Sequence, residues 1–158
     1  MPRRRTVPWT AIGVGLLVAV VAAVVLVVRG GAPSASDRPV PVVWNRESCA
    51  HCRMAIGDPS YAAQLITTDG TVANFDDVGC LLRYLDERHP TVHRLWFHHP
   101  SDDRWLGADE VGFAQGATTP MGFGLTATER RPGLLDLAGA RAMVATRDGG
   151  PAHPGAMP

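Results

Sequence analysis

An α+β fold is what this chain predicts, and three observations predict it. Two short apolar runs flank Asp69-Gly70, a pair suited to a tight hairpin turn with positive φ. Val78, Leu81, Leu82 and Leu85 follow the i, i+3, i+4, i+7 spacing of a helix with one buried stripe. The order strand, strand, helix then occurs a second time toward the C-terminus, the pattern of a degenerate repeat.

The elements are expected in the following order. Val40 to Trp44 reads as a strand, and Tyr61 to Thr67 with Thr71 to Phe75 as the hairpin. Asp76 or Asp77 caps the helix, which continues to about Glu87 and ends before His89-Pro90. Thr91 to His98 reads as another strand. Trp105-Leu106, Gly112 to Gln115 and Met121 to Ala127 are shorter ones. A second helix is expected from Gly133 to Ala145, after Pro132 and before Gly149-Gly150.

Upstream of these elements the chain changes character. The 20 residues from Trp9 to Val28 carry no charge, and as a helix they would cover about 30 Å, the thickness of a bilayer core. Arg3, Arg4 and Arg5 precede them and only Arg29 follows, which keeps the N-terminus cytoplasmic and exports the rest. The expected organisation is a cytoplasmic N-terminus (1–8), a transmembrane anchor (9–28), a small-residue linker (29–39), an extracytoplasmic domain (40–148) and a disordered tail (149–158). A cleaved signal peptide is the rival reading, since Ala32 to Ser36 offers small residues for cleavage. Signal-peptide apolar cores are usually shorter, however. The expected location is the cell membrane, with a single pass and the C-terminal domain outside.

The formal charge of zero hides an uneven split. Four arginines belong to the first 29 residues, which leaves eleven basic against fifteen acidic residues after them, a net of −4. A mildly acidic exported part argues against nucleic acid as a partner, because phosphate binding needs clustered positive charge. No GxSxG, HExxH or phosphate-cradling glycine loop appears, so the chain gives little support for an enzyme.

The chemistry-bearing segment is Cys49-Ala-His-Cys52-Arg-Met54, two thiols and a thioether within six residues. Four chemistries fit it. A structural zinc ion wants four closed ligands, and beyond this pair only Cys80 and scattered histidines remain. A Cys49–Cys52 disulfide would close a very small loop and stabilise little. A thiol–disulfide oxidoreductase has this spacing, but its helix would have to start near Cys49 and stop at Gly57 or Pro59. A transient Cu(I) site needs only a few soft donors, with Met54 and Met121 as candidate thioethers. Taken alone, Met121 and Met143 read as core filler. Cys80 lies opposite the apolar stripe of its helix, beside Asp76, Arg83 and Glu87. It reads as a small residue packed under a second layer rather than as a third ligand. His98-His99 with Asp102 and Asp103 reads equally well as a divalent-ion site or as a solvated strand end with a turn, and His153 and Met157 read as incidental tail residues rather than weak metal contacts.

The series of motifs resembles the NosL family, accessory copper proteins of nitrous oxide reductase assembly. It runs through Cys49-Ala-His-Cys52-Arg-Met54, Tyr61-Ala-Ala-Gln64, Phe75-Asp-Asp77, Trp105-Leu106 and Thr119-Pro-Met-Gly122 to the terminal helix before Gly149-Gly150. The resemblance implies two small related ββαβ units, Cu(I) binding outside the cytoplasm, and delivery to a copper-acceptor enzyme or its membrane assembly machinery. It also implies Cys49, Cys52, Met54 and Met121 as metal ligands, and it carries over neither Cys80 nor the histidines. Members of that family are commonly lipoproteins, whereas a helix is the expected anchor of this chain.

Overall fold

The computed structural model describes residues 17–24 and 35–147, and the chain divides into two compact units, 1–33 and 34–158. Of the first unit, residues 17–24 are helical, with Leu17, Val18, Val20, Val21 and Val24 exposed. The remainder of the predicted 9–28 span lies outside the described residues, as does the tail from 148 onward. No helix among the described residues is long and apolar enough to cross a membrane.

The described residues of the second unit form six strands and two helices: β1 (Ala63–Thr67), β2 (Val72–Phe75), α1 (Val78–Arg88), β3 (Val92–His98), β4 (Trp105–Gly107), β5 (Val111–Gln115), β6 (Leu125–Glu129) and α2 (Leu137–Thr146). A 3-10 turn over Pro59–Tyr61 precedes β1. Strands β2-β1-β3-β4 form one antiparallel sheet, and β5 and β6 a second. The first sheet with α1 is a ββαβ arrangement. The second unit of the expected repeat is β5, β6 and α2, with no closing strand among the described residues.

The expected hairpin forms because Gly70 adopts φ 84° and the Asp69 carboxylate accepts from the Thr71 backbone N–H at 3.0 Å. Its register pairs Ala63 with Phe75 and, on the other side, with Phe97, which in turn pairs with Leu106. Residues paired across strands share a face, so these four form an apolar row. That row is buried together with Val78, Leu81, Leu82 and Leu85 of α1. The same cluster takes in Val111, Phe113, Leu125 and Ala127 from the small sheet. The Phe97 and Phe113 rings meet edge to face, 5.0 Å between centroids, and join the two sheets in one core.

Three expected elements differ. Val40 to Trp44 forms no strand, because Pro39 and Pro41 have no N–H to give a ladder. Instead the buried Gln64 side chain accepts from Val40 N–H at 2.8 Å and donates to Val40 C=O at 2.9 Å. The expected strand from Met121 starts only at Leu125, since Gly122 and Gly124 take φ 71° and 69° and hold a loop. The second helix begins at Leu137 rather than Gly133. Leu135 is engaged in a backbone bridge with Phe113, and Asp136 caps the helix on Gly139 N–H.

Candidate metal centre

The Cys49–Met54 segment folds as a tight loop and not as a helix. Cys49 N–H donates to Met54 C=O at 2.8 Å and Arg53 N–H to Cys49 C=O at 3.0 Å, with Arg53 at φ 68°. A bridge between Ser48 and Ala55 closes the base of the loop. Ala50 N–H donates to Asn74 C=O at 2.9 Å, which fastens the loop to β2.

The strand that receives the loop leads directly into α1. Asp77 is the N-cap, its Oδ1 accepting from Gly79 N–H at 2.8 Å. That choice of cap leaves the preceding Asp76, itself buried, free to turn toward the loop. Cys52 Sγ–H donates to Asp76 Oδ1 at 3.3 Å. Cys80 sits on the first turn of α1, also buried. One ligand atom each from Cys49, Cys52, Asp76 and Cys80 all lie within 4.8 Å of one another. All three thiols are free.

Cys80 therefore corrects the sequence reading: it faces the loop as a third sulfur rather than lying under a second layer. Asp76, expected as one of two possible caps, leaves that role to Asp77 and joins the cluster. The helical wheel places Asp76 and Cys80 side by side, but it carries no information on what packs against that side.

Of the four ligands expected from sequence, Cys49 and Cys52 belong to the cluster. Met54 is 37% exposed. Met121 is half-buried against the core, and its N–H donates to Asp77 Oδ2 at 3.0 Å, so one carboxylate ties its loop to the start of α1. The loop is further held by Gly122 N–H to Thr119 C=O at 3.0 Å and Gly124 N–H to Thr119 Oγ1 at 3.2 Å. Phe123 lies over Gly79, with the Arg83 guanidinium 5.3 Å from its ring centre. His98 and His99 lie elsewhere, with the His98 ring in T-shaped contact with both Trp44 and Trp105.

The electrostatics of the three sulfurs are unequal. A hydrogen bond from Cys80 stabilises the Cys49 thiolate and lowers its pKa to about 7, against the opposing effect of burial. The same bond, in which Cys80 holds the proton, pushes Cys80 far up, and burial adds to it. Burial raises Cys52 to about 12. Burial also raises Asp77, against its hydrogen bonds from Thr119, Gly79 and Met121. As pH rises through about 7 the first proton thus leaves Cys49, while Cys52 and Cys80 keep theirs. A soft cation entering it meets one ready anionic sulfur and displaces protons from the others.

These shifts give the apo-protein a characteristic pH profile. In the unfolded chain all three thiols lose their protons near about 8.5. Cys49 is lower when folded, so its contribution is present above that value and lost as pH falls through about 7. Cys52 and Cys80 are higher when folded, so theirs is full below about 8.5 and is lost as pH rises toward the folded values. Stability of the reduced, metal-free protein is expected to decline from about pH 9 upward. Denaturant melts at increasing pH measure this. Cys52→Ala, with one held proton fewer and the Cys80–Cys49 hydrogen bond kept, must decline less steeply, and an equal slope would contradict the assignment.

No protein-family model matches the chain, and no curated protein does. Among solved structures the chain is similar to the copper chaperone NosL from Shewanella denitrificans, at 20% identity and a TM-score of 0.46, over 70% of this chain and 88% of that one.

Proposed function

We propose that this chain is an extracytoplasmic Cu(I) carrier, held at the membrane by its 9–28 segment, that hands its ion to a copper enzyme by ligand exchange. The observation that carries the reading is the cluster of three free thiols and one carboxylate within 4.8 Å of one another. Thiolates are soft donors and select Cu(I) over hard cations. The resemblance of the sequence to the NosL family supports the same cargo, and it supports nitrous oxide reductase or its membrane assembly machinery as the recipient. In this reading Cys49, Cys52 and Cys80 supply charge and most of the affinity. Met54 and Met121 are exchangeable thioethers that assist capture and release.

A thiol–disulfide oxidoreductase is the second reading, and one observation favours it: Cys49 is acidic enough to attack a disulfide near neutral pH. Against it, Cys49 is fully buried, and the pair is carried by a tight loop rather than by the first turn of a helix.

Titration of the reduced chain with Cu(I) against a chromophoric chelator separates the two. A carrier binds one ion tightly and loses it in the Cys49→Ser, Cys52→Ser double variant, while Met54→Ala or Met121→Ala costs far less. Failure to compete with the chelator, together with reversible thiol cycling in a redox buffer, would promote the oxidoreductase.

A further inference from the structure

Two adjacent histidines end β3, and their ring nitrogens are used differently. His99 Nδ1 accepts from the Ser101 and Asp102 backbone N–H groups at 3.3 and 3.2 Å, so its proton lies on Nε2, toward Glu129. His98 Nδ1 faces the His99 C=O at 2.9 Å, and a carbonyl only accepts, so here the proton lies on Nδ1. The His98 Nε2 then turns a lone pair toward Asp103 Oδ1 at 3.3 Å, and a carboxylate also only accepts. In the neutral ring two acceptors face each other, an arrangement that a cation between them relieves.

The surroundings suit such an ion. The His98 side chain is 5% exposed, whereas that of Asp103 is fully exposed, so the buried nitrogen opens to solvent through the carboxylate. Both residues line a cavity of about 310 Å³ with Trp44, Ser60, Ser101 and Asp102. A ligating histidine commonly gives its far N–H to a backbone carbonyl, as His98 does. The spacing fits as well: two ligand atoms bound at about 2.0–2.1 Å to one tetrahedral ion stand about 3.3 Å apart. Asp102, Asp103 and Glu129 gather around the two histidines against the single guanidinium of Arg104, which favours a cation.

We propose that His98 Nε2 and the Asp103 carboxylate form a second metal site, for a borderline divalent cation of the first transition row. None of its residues belongs to the sulfur cluster, and the inference does not depend on the Cu(I) reading. Imidazole with carboxylate and no sulfur selects such an ion rather than Cu(I). Two protein donors leave the remaining positions to water, so the ion is exchangeable. Its binding ties the exposed turn between β3 and β4 to the histidine on which Trp44 packs.

The probe is Co²⁺, titrated into the full reduced chain. Cobalt on thiolates gives intense sulfur-to-metal charge-transfer absorption. On imidazole and carboxylate it gives weak d–d bands alone and quenches the fluorescence of nearby indoles, here Trp44 and Trp105. The wild-type chain is expected to show one equivalent that quenches tryptophan without adding charge transfer. Asp103→Asn should lose that equivalent and keep any sulfur-bound one, and its exposed side chain tolerates the change. His98→Gln should lose it too, with near-UV circular dichroism as the check on its fold. Sulfur-free quenching that persists in Asp103→Asn, or is missing from the wild-type chain, overturns the proposal. Quenching that follows pH and ignores cobalt assigns the gap to a proton and overturns it as well.

Discussion

Replacing Cys80 by alanine is expected to weaken Cu(I) binding by about 100-fold, equivalent to about 2.7 kcal/mol. The substitution removes a sulfur that shares a 4.8 Å cluster with Cys49, Cys52 and Asp76. It also removes the hydrogen bond that chiefly lowers Cys49 to about 7. The second effect can be read without any metal. Thiolate absorbance followed against pH should show a step near 7 in the parent chain, and that step should move up to the ordinary thiol range or beyond in Cys80→Ala, because burial then acts unopposed. Alanine is preferred to serine here, since a serine hydroxyl would still donate to Cys49. Unchanged affinity would mean that the ion is held by the loop alone, and that Cys80 serves only to acidify its neighbour.

Gly79→Ala is the second substitution with a large expected effect, and helix propensity predicts its sign wrongly. On an ordinary helix alanine in place of glycine stabilises by about 1 kcal/mol. Here the added Cβ would stand 2.5 Å from the Phe123 Cβ and closer still to its ring. Phe123 is 3% exposed and has no room to retreat without taking the 119–124 loop with it. Overpacking of this kind costs about 3 kcal/mol, so a net loss of about 2 kcal/mol is expected in denaturant unfolding. Adding Phe123→Leu should return part of the loss, which gives the pair a clear coupling energy. If Gly79→Ala alone is neutral or stabilising, the close packing of Phe123 on α1 is disproved. The joint between helix and methionine loop would then rest on Asp77.

What the sequence made legible was the part governed by near neighbours. The Asp69-Gly70 turn, the Val78–Leu85 stripe and the stop at His89-Pro90 are each decided within a few residues, and each appears as expected. Val40 to Trp44 is different. Its valines suit a strand and its prolines oppose one, but its partner is the side chain of Gln64, 24 residues on, and no local pattern announces that. The candidate site divides in the same way. Cys49 and Cys52 were visible as a spacing. Asp76 and Cys80 join them only because Ala50 is fastened to Asn74, which swings the loop against the start of α1. The useful signal was in hand: an unexplained third cysteine on the same helical side as an acid beside the cap.

The fastening of residues 40 to 47 has a mechanical consequence. Gln64 grips the Val40 backbone through both its N–H and C=O and donates to Asn74, which donates to Glu47, which accepts from Val43 N–H. This run of clamps lies between the upstream chain and Cys49. A pull on the chain from its N-terminal side therefore loads β1 and β2 through their side-chain amides before any tension reaches the sulfur loop. The clamps act as a strain relief, like the collar on a cable: the pull is taken by the sheet before it can pass along the chain to Cys49.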